Sequence, residues 1–134
     1  MRWRAFSTLL VAGTIPLQTL ANVCVYKAPT VGHIHGRIMD LSDYPIPQAQ
    51  VTVMRGEETI QSNVTGGTGE FNFDSLPDGK YEIDVKARGF QHARYSLKLS
   101  SRRSPQPVLR ITLGIGSIYC QGSIEVVKEK PKPH

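Results

Sequence analysis

From Val31 onward the chain alternates apolar and polar residues in run after run, and no stretch keeps a convincing period near 3.6. Ile34, Gly36 and Ile38 fall on one side of the first run, with His33, His35 and Arg37 on the other. Val51 and Val53 alternate with Gln50, Thr52 and Met54, and Phe71 and Phe73 with Glu70, Asn72 and Asp74. Tyr81, Ile83 and Val85 alternate with Glu82, Asp84 and Lys86. Tyr95, Leu97 and Leu99 alternate with Ser96 and Lys98, and Leu109, Ile111 and Leu113 with Arg110 and Thr112. Successive strand side chains point to opposite faces, whereas a helix repeats its faces every 3.6 residues, so this pattern fits strands only. The expected fold class is all-β.

Turn chemistry separates the runs. Tyr44-Pro45-Ile46-Pro47 divides the first strand from the second, and Arg55-Gly56-Glu57-Glu58 reads as a hairpin turn into Thr59–Val64. Gly66-Gly67-Thr68-Gly69 leads into the Phe71 strand and Pro77-Asp78-Gly79 into the Tyr81 strand. Ser100–Pro107 reads as an exposed loop. Seven or so short strands with one apolar face each predict an Ig-like sandwich of two antiparallel sheets sharing a core. A chain of 134 residues matches one such domain.

The first 21 residues stand apart. Arg2 and Arg4 precede an apolar stretch from Ala5 to Leu17, and Thr19 and Ala21 place small residues before a cleavage point at Asn22. This is the pattern of a secretory signal peptide, and the apolar run is short for a span of roughly 20 residues. An uncleaved anchor is the alternative; Val23 before Cys24 argues against a lipoprotein. Residues 22–127 then form the folded unit, with no stable membrane span after cleavage. The Pro- and Lys-rich residues 128–134 are expected to be disordered. The expected localisation is secreted or periplasmic.

Export changes how charge and cysteines are read. The formal charge is +5, with 16 basic and 11 acidic residues, and loss of Arg2 and Arg4 lowers it to +3. That excess is too small to argue for nucleic acid. Cys24 and Cys120 are the only cysteines and lie near the two ends of the mature chain. In an oxidising compartment an even count favours a disulfide. Closing a loop of roughly 100 residues is worth up to about 4.7 kcal/mol in the chain-entropy account.

Several segments in order resemble a known pattern. Gly36-Arg37-Ile38-Met39-Asp40 and Pro45-Ile46-Pro47-Gln48-Ala49-Gln50-Val51-Thr52-Val53 resemble the opening of carboxypeptidase regulatory-like domains. There a first strand ends in an acid and a P-[IL]-x-x-A-x-V segment starts the second. The likeness continues through Thr65 to Phe71, Leu76-Pro77-Asp78-Gly79-Lys80-Tyr81 and Ala87-Arg88-Gly89-Phe90, covering roughly residues 34–113. It implies a prealbumin-like (transthyretin-like) sandwich of seven strands, a domain that binds, stabilises or assembles rather than catalyses. One position departs: Gly66 stands where the family usually has an aspartate, which removes a side-chain cap from that turn. Gly114 to Val127 extends beyond the pattern. With Ile118, Cys120, Ile124 and Val126 sharing a face, the extension is expected to be an added edge strand or hairpin, clasped to the N-terminal arm by the disulfide.

Candidate chemistry is sparse. His33 and His35 share one strand face and are the candidate metal ligands, with His92 or Asp40 as a third; the plainer reading is two solvent-facing histidines. The acids Asp40, Asp43, Glu57, Glu58, Asp74 and Asp78 sit at turns or outward positions, with no acid and base facing across a cleft. There is no nucleophile elbow. The resemblance to transthyretin-like hydroxyisourate hydrolases stops short of their C-terminal Tyr-Arg-Gly-Ser signature, where this chain has Ser117-Ile118-Tyr119-Cys120. Adhesin modules that crosslink themselves need a first-strand lysine where Arg37 stands, and an Asn or Asp in the last strand, where there is none. Arg88, Arg94, Arg102, Arg103 and Arg110, with Phe90 and Tyr95 nearby, are a candidate basic patch diluted by Glu82 and Asp84. Asn63-Val64-Thr65 is a glycosylation sequon.

The expectation is an exported, non-catalytic module without a cofactor. It would bind an envelope or extracellular protein, or a carbohydrate, although loss of Trp3 with the signal leaves no tryptophan for sugar stacking. The alternative is a metal-binding or hydrolytic domain using His33 and His35.

Overall fold

The computed structural model describes residues 23–28, 30–116 and 120–128. The expected signal peptide at 1–21, Ile118 of the C-terminal face and residues 129–134 of the tail lie outside the described residues.

Within them the alternating runs form nine strands and no helix. In chain order these are β1 (Cys24–Lys27), β2 (Ile34–Met39), β3 (Gln50–Arg55), β4 (Glu58–Val64) and β5 (Glu70–Phe73). They are followed by β6 (Gly79–Lys86), β7 (Ala93–Leu99), β8 (Val108–Thr112) and β9 (Ser123–Val127). One sheet has the order β1-β7-β6-β3-β4 and the other β5-β2-β8-β9. The two strands beyond the expected seven are β1 and β9, which carry the chain ends onto the sheets. Both sheets are mixed rather than antiparallel, because β1 pairs with β7 and β2 with β8 in parallel. Period-two alternation fixes which face a residue takes but not the direction of its strand. Only the hairpins β3–β4 and β6–β7 force antiparallel neighbours by connection length.

The core is made by the inward half of every alternating run. Val51, Val53, Ile83, Val85 and Tyr95 of the five-stranded sheet meet Ile34, Ile38, Phe73, Leu109 and Ile111 of the four-stranded sheet, all fully buried. Each such side chain contributes about 1.5–3 kcal/mol relative to exposure. Gly36 belongs to this face, since a Cβ there would stand 1.8 Å from the Leu109 carbonyl oxygen. Ala49 is fully buried beside Thr65, whose hydroxyl donates to the Ile46 carbonyl at 2.7 Å and accepts the Ala49 N–H at 2.8 Å. Where Gly66 removes the expected aspartate cap, the turn closes through the backbone, Gly69 N–H donating to Gly66 O at 2.9 Å. Gly69 itself has φ +72°, with room for no Cβ against the Ile38 carbonyl.

Both open sides of the sandwich are closed by side chains. Asn63, the sequon asparagine, donates from β4 to the Asn72 carbonyl of β5 at 2.6 Å, and Gln61 donates to the Asp74 carbonyl at 3.1 Å. Edge carbonyls that would otherwise invite another strand are thus occupied. On the opposite side, Cys24 and Cys120 form the disulfide, with Cα atoms 5.6 Å apart. The Gly122 N–H donates to the Tyr26 hydroxyl at 3.0 Å, so the start of β1 and the approach to β9 are joined twice.

Candidate binding surface

The two candidate metal ligands lie together, yet each is held by a different neighbour. The His33 and His35 rings stack with centroids 4.4 Å apart. His33 Nε2 lies 3.1 Å from the Phe73 carbonyl and 3.3 Å from the Asp74 carboxylate. His35 Nε2 lies 3.0 Å from the carbonyls of both Pro105 and Pro107. Carbonyl oxygens only accept, so both rings carry their proton on Nε2. Phe73 belongs to β5 and Pro107 leads into β8, which flank β2 on opposite sides, so the two Nε2 atoms are drawn apart. The pair fastens the loop before β8 and the end of β5 to β2.

Neither expected third ligand joins them. Asp40 accepts the N–H groups of Ser42 at 2.8 Å and Tyr44 at 3.0 Å and so shapes the turn after β2. His92 lies just before β7 of the other sheet, bonded through Nε2 to Asp84. Among the described residues no three His, Cys, Asp or Glu side chains gather to hold a metal ion.

Asp84 faces out from β6, as its alternation implies, yet only 7% of it is accessible, because His92 and Arg94 cover it. Arg94 Nη2 donates to Asp84 Oδ2 at 3.2 Å, and its Nε lies 3.7 Å from Glu82. Asp84 and Arg94 are direct cross-strand partners, which the opposite charges on adjacent alternating runs foreshadow once β6 and β7 are recognised as a hairpin. The hydroxyls nearest in register, Thr52 and Ser62, are 3.2 Å apart. The cluster is a charge-compensated knot, with the histidine proton and the guanidinium both directed at one carboxylate.

The candidate arginine patch is dispersed. Arg94 is committed to Asp84, and Arg110, on the other sheet, to Asp43. Arg88 lies in the turn between β6 and β7, whereas Arg102 and Arg103 lie in the loop after β7, at the opposite end of the sandwich. Tyr95 is fully buried and stacks on Tyr26 with centroids 5.2 Å apart, so it offers no surface ring. Phe90 packs half-buried against the core.

Cationic chemistry gathers instead on lysines that sequence reasoning passed over. Lys80 and Lys98 are direct partners across β6 and β7, and Lys27 of β1 is the partner of Ser96, two residues before Lys98. The three line a groove of about 560 Å³ on the outer face of the five-stranded sheet, with Thr30, Ser96 and Glu82. Arg55 stands behind its wall, its guanidinium 4.7 Å from the Tyr81 ring centroid and donating to the Tyr81 hydroxyl at 2.9 Å. Among the described residues no carboxylate lies within ion-pairing distance of Lys27, Lys80 or Lys98; Glu82 turns to Arg94. The sequence does carry the signal: two outward lysines, Lys80 and Lys98, one at the start of β6 and one near the end of β7, must face each other in a tight antiparallel pair.

At the loop end nearest the groove, Asp78 accepts the N–H of Ser101 at 3.0 Å and its hydroxyl at 2.9 Å. These two hydrogen bonds hold its carboxyl below the usual aspartate value.

Residues 33–114 match the model of the carboxypeptidase regulatory-like domain, most of the chain. The chain belongs to that family. No curated protein matches it in sequence. Among solved structures, it is similar to a 5-hydroxyisourate hydrolase from Klebsiella pneumoniae, at 19% identity and a TM-score of 0.55, over 72% of this chain and 98% of that one. It is also similar to a sea bream transthyretin in complex with thyroxine, at 14% identity and a TM-score of 0.50, over 75% of this chain and 98% of that one. These likenesses establish the transthyretin-like sandwich for this carboxypeptidase regulatory-like domain. At such identities they speak to fold alone.

Proposed function

We propose that this carboxypeptidase regulatory-like domain is an exported, non-catalytic module that binds a protein partner at the cell envelope through the outer face of its five-stranded sheet. One contrast carries the reading. The groups with reactive potential (His33, His35, Asp84, His92 and Asp78) are each tied into bonds that fasten loops or strands, whereas Lys27, Lys80 and Lys98 gather in one groove with no carboxylate in ion-pairing reach among the described residues. Like charge gathered in a concave surface raises the local concentration of a ligand of opposite charge.

Protein is favoured over neutral carbohydrate because sugar binding draws on exposed aromatic faces. The one ring in the groove wall, Tyr81, is only 3% exposed. Export accounts for the disulfide, whose persistence requires an oxidising compartment.

Two assays test the proposal. The purified disulfide-bonded protein should hydrolyse 5-hydroxyisourate at no more than the uncatalysed rate, and an epitope-tagged form should copurify with a stoichiometric protein partner from envelope extracts. A hydrolytic rate above background that disappears on replacing His92 or His33 would overturn the non-catalytic reading.

A further inference from the structure

Resting on the protein-binding reading above, we infer that the lysine groove takes an extended, acidic peptide segment of the partner, with carboxylates on alternate residues. The register sets the spacing. Lys80 and Lys98 are directly opposite, about 5 Å apart at the backbone. Lys27 lies one strand further and two residues along from Lys98, a diagonal of about 7–8 Å. An extended peptide places same-side side chains about 6.6–6.8 Å apart, so a glutamate at one position meets the Lys80–Lys98 pair and one two residues on meets Lys27.

The charge balance points the same way. Like charges directly opposite on adjacent strands disfavour the sheet, and the fold keeps such a pair here although Glu82 stands beside it. Glu82, the one carboxylate of the groove lining, leans to Arg94, so the three lysines keep a positive excess in a concave, partly apolar setting, where an anion is attracted more strongly than on a flat surface. The hydroxyls of Thr30 and Ser96 and the small Ala28 line the space between. That lining suits a peptide main chain passing over it.

The test is a titration of the isotope-labelled, disulfide-bonded protein, followed by amide shifts. The probes are hexaglutamate, hexaglutamine, trigalacturonate and inorganic phosphate, each in low and moderate salt. Hexaglutamate should shift Lys27, Lys80, Ser96 and Lys98 most, bind at least tenfold more tightly than hexaglutamine, and weaken as salt rises. Replacing Lys80 and Lys98 together by Gln should weaken it at least tenfold, while replacing Lys86 and Arg102 by Gln changes it less than twofold; both variants should melt within a few degrees of the parent. Equal binding by the two double variants, shifts centred outside the groove, or tighter binding of trigalacturonate or phosphate would overturn the assignment. Partner copurification that survives the Lys80/Lys98 replacement would overturn it too, and would leave the partner-binding reading standing.

Discussion

Lys80 and Lys98 face each other across β6 and β7 with no carboxylate in ion-pairing reach of either among the described residues. For stability alone this is a poor choice, since an opposite-charge pair at the same register favours the sheet by a fraction of a kcal/mol. Lys98→Glu is therefore expected to raise the unfolding free energy by about 0.5 kcal/mol in low salt, with the gain shrinking as salt is added. Chemical denaturation at two ionic strengths checks this; a clear loss of stability would mean that Lys98 has a structural partner.

Tyr95 presents the opposite case, a polar group in the core. Among the described residues its buried hydroxyl has no hydrogen-bond partner, and burial pushes its ionisation well above the usual tyrosine value. Removing an unpaired buried hydroxyl relieves a desolvation cost of about 1–3 kcal/mol. Tyr95→Phe should therefore be neutral or stabilising, by up to about 1 kcal/mol after repacking against Tyr26. A raised pKa also means stability is intact below the ordinary tyrosine range and falls as pH rises through it toward the native value. The Phe variant should lose less stability in that alkaline window, read by thermal melts across it. A loss above about 1 kcal/mol at neutral pH would show that the hydroxyl is bonded.

The Cys24–Cys120 bridge closes a segment of 96 residues, which makes it the longest-range covalent constraint available to this chain. Replacing both cysteines by serine should cost about 2–5 kcal/mol. Since β1 and β9 are edge strands held at one end by this link, amide exchange should rise first in Val25–Lys27 and Ser123–Val127. Loss of protection that begins in β3 or β6 would contradict the assignment of β1 and β9 as dependent additions.

Asp78 supplies a pH dependence of opposite sign. Its carboxyl is held below the usual value by Ser101, so its contribution is present above that value and disappears as pH falls through the native one. Asp78→Asn should flatten the acid side of the stability profile below about pH 4 while leaving the alkaline side unchanged. An unchanged acid limb would assign the acid sensitivity to other carboxylates.

Much of the architecture was legible in the sequence because burial on one face imposes period two. Every inward residue read from alternation, from Ile34 to Leu113, is in the core. The glycine turn read before Phe71 is also where the structure needs it, Gly69 having φ +72° and no room for a Cβ. Strand direction was not legible, because nothing in an alternating run distinguishes β2 lying parallel to β8 from the reverse. The surface was harder still. Asp84 alternates with core residues like any solvated acid, and only the β6–β7 register reveals that His92 and Arg94 close over it. The arginines drew attention by number, yet they are scattered or paired, whereas three lysines far apart in the chain converge on one groove.

The central claim is that the outer face of the five-stranded sheet is the contact surface, and photo-crosslinking in intact cells tests it most directly. A photoreactive residue at Ser96, in the groove, should trap one partner protein, and the adduct should vanish when Lys80 and Lys98 are both replaced by glutamate. The same probe at Arg37, on the outer face of the four-stranded sheet, should trap little. Strong adducts from Arg37 with none from Ser96 would contradict the account.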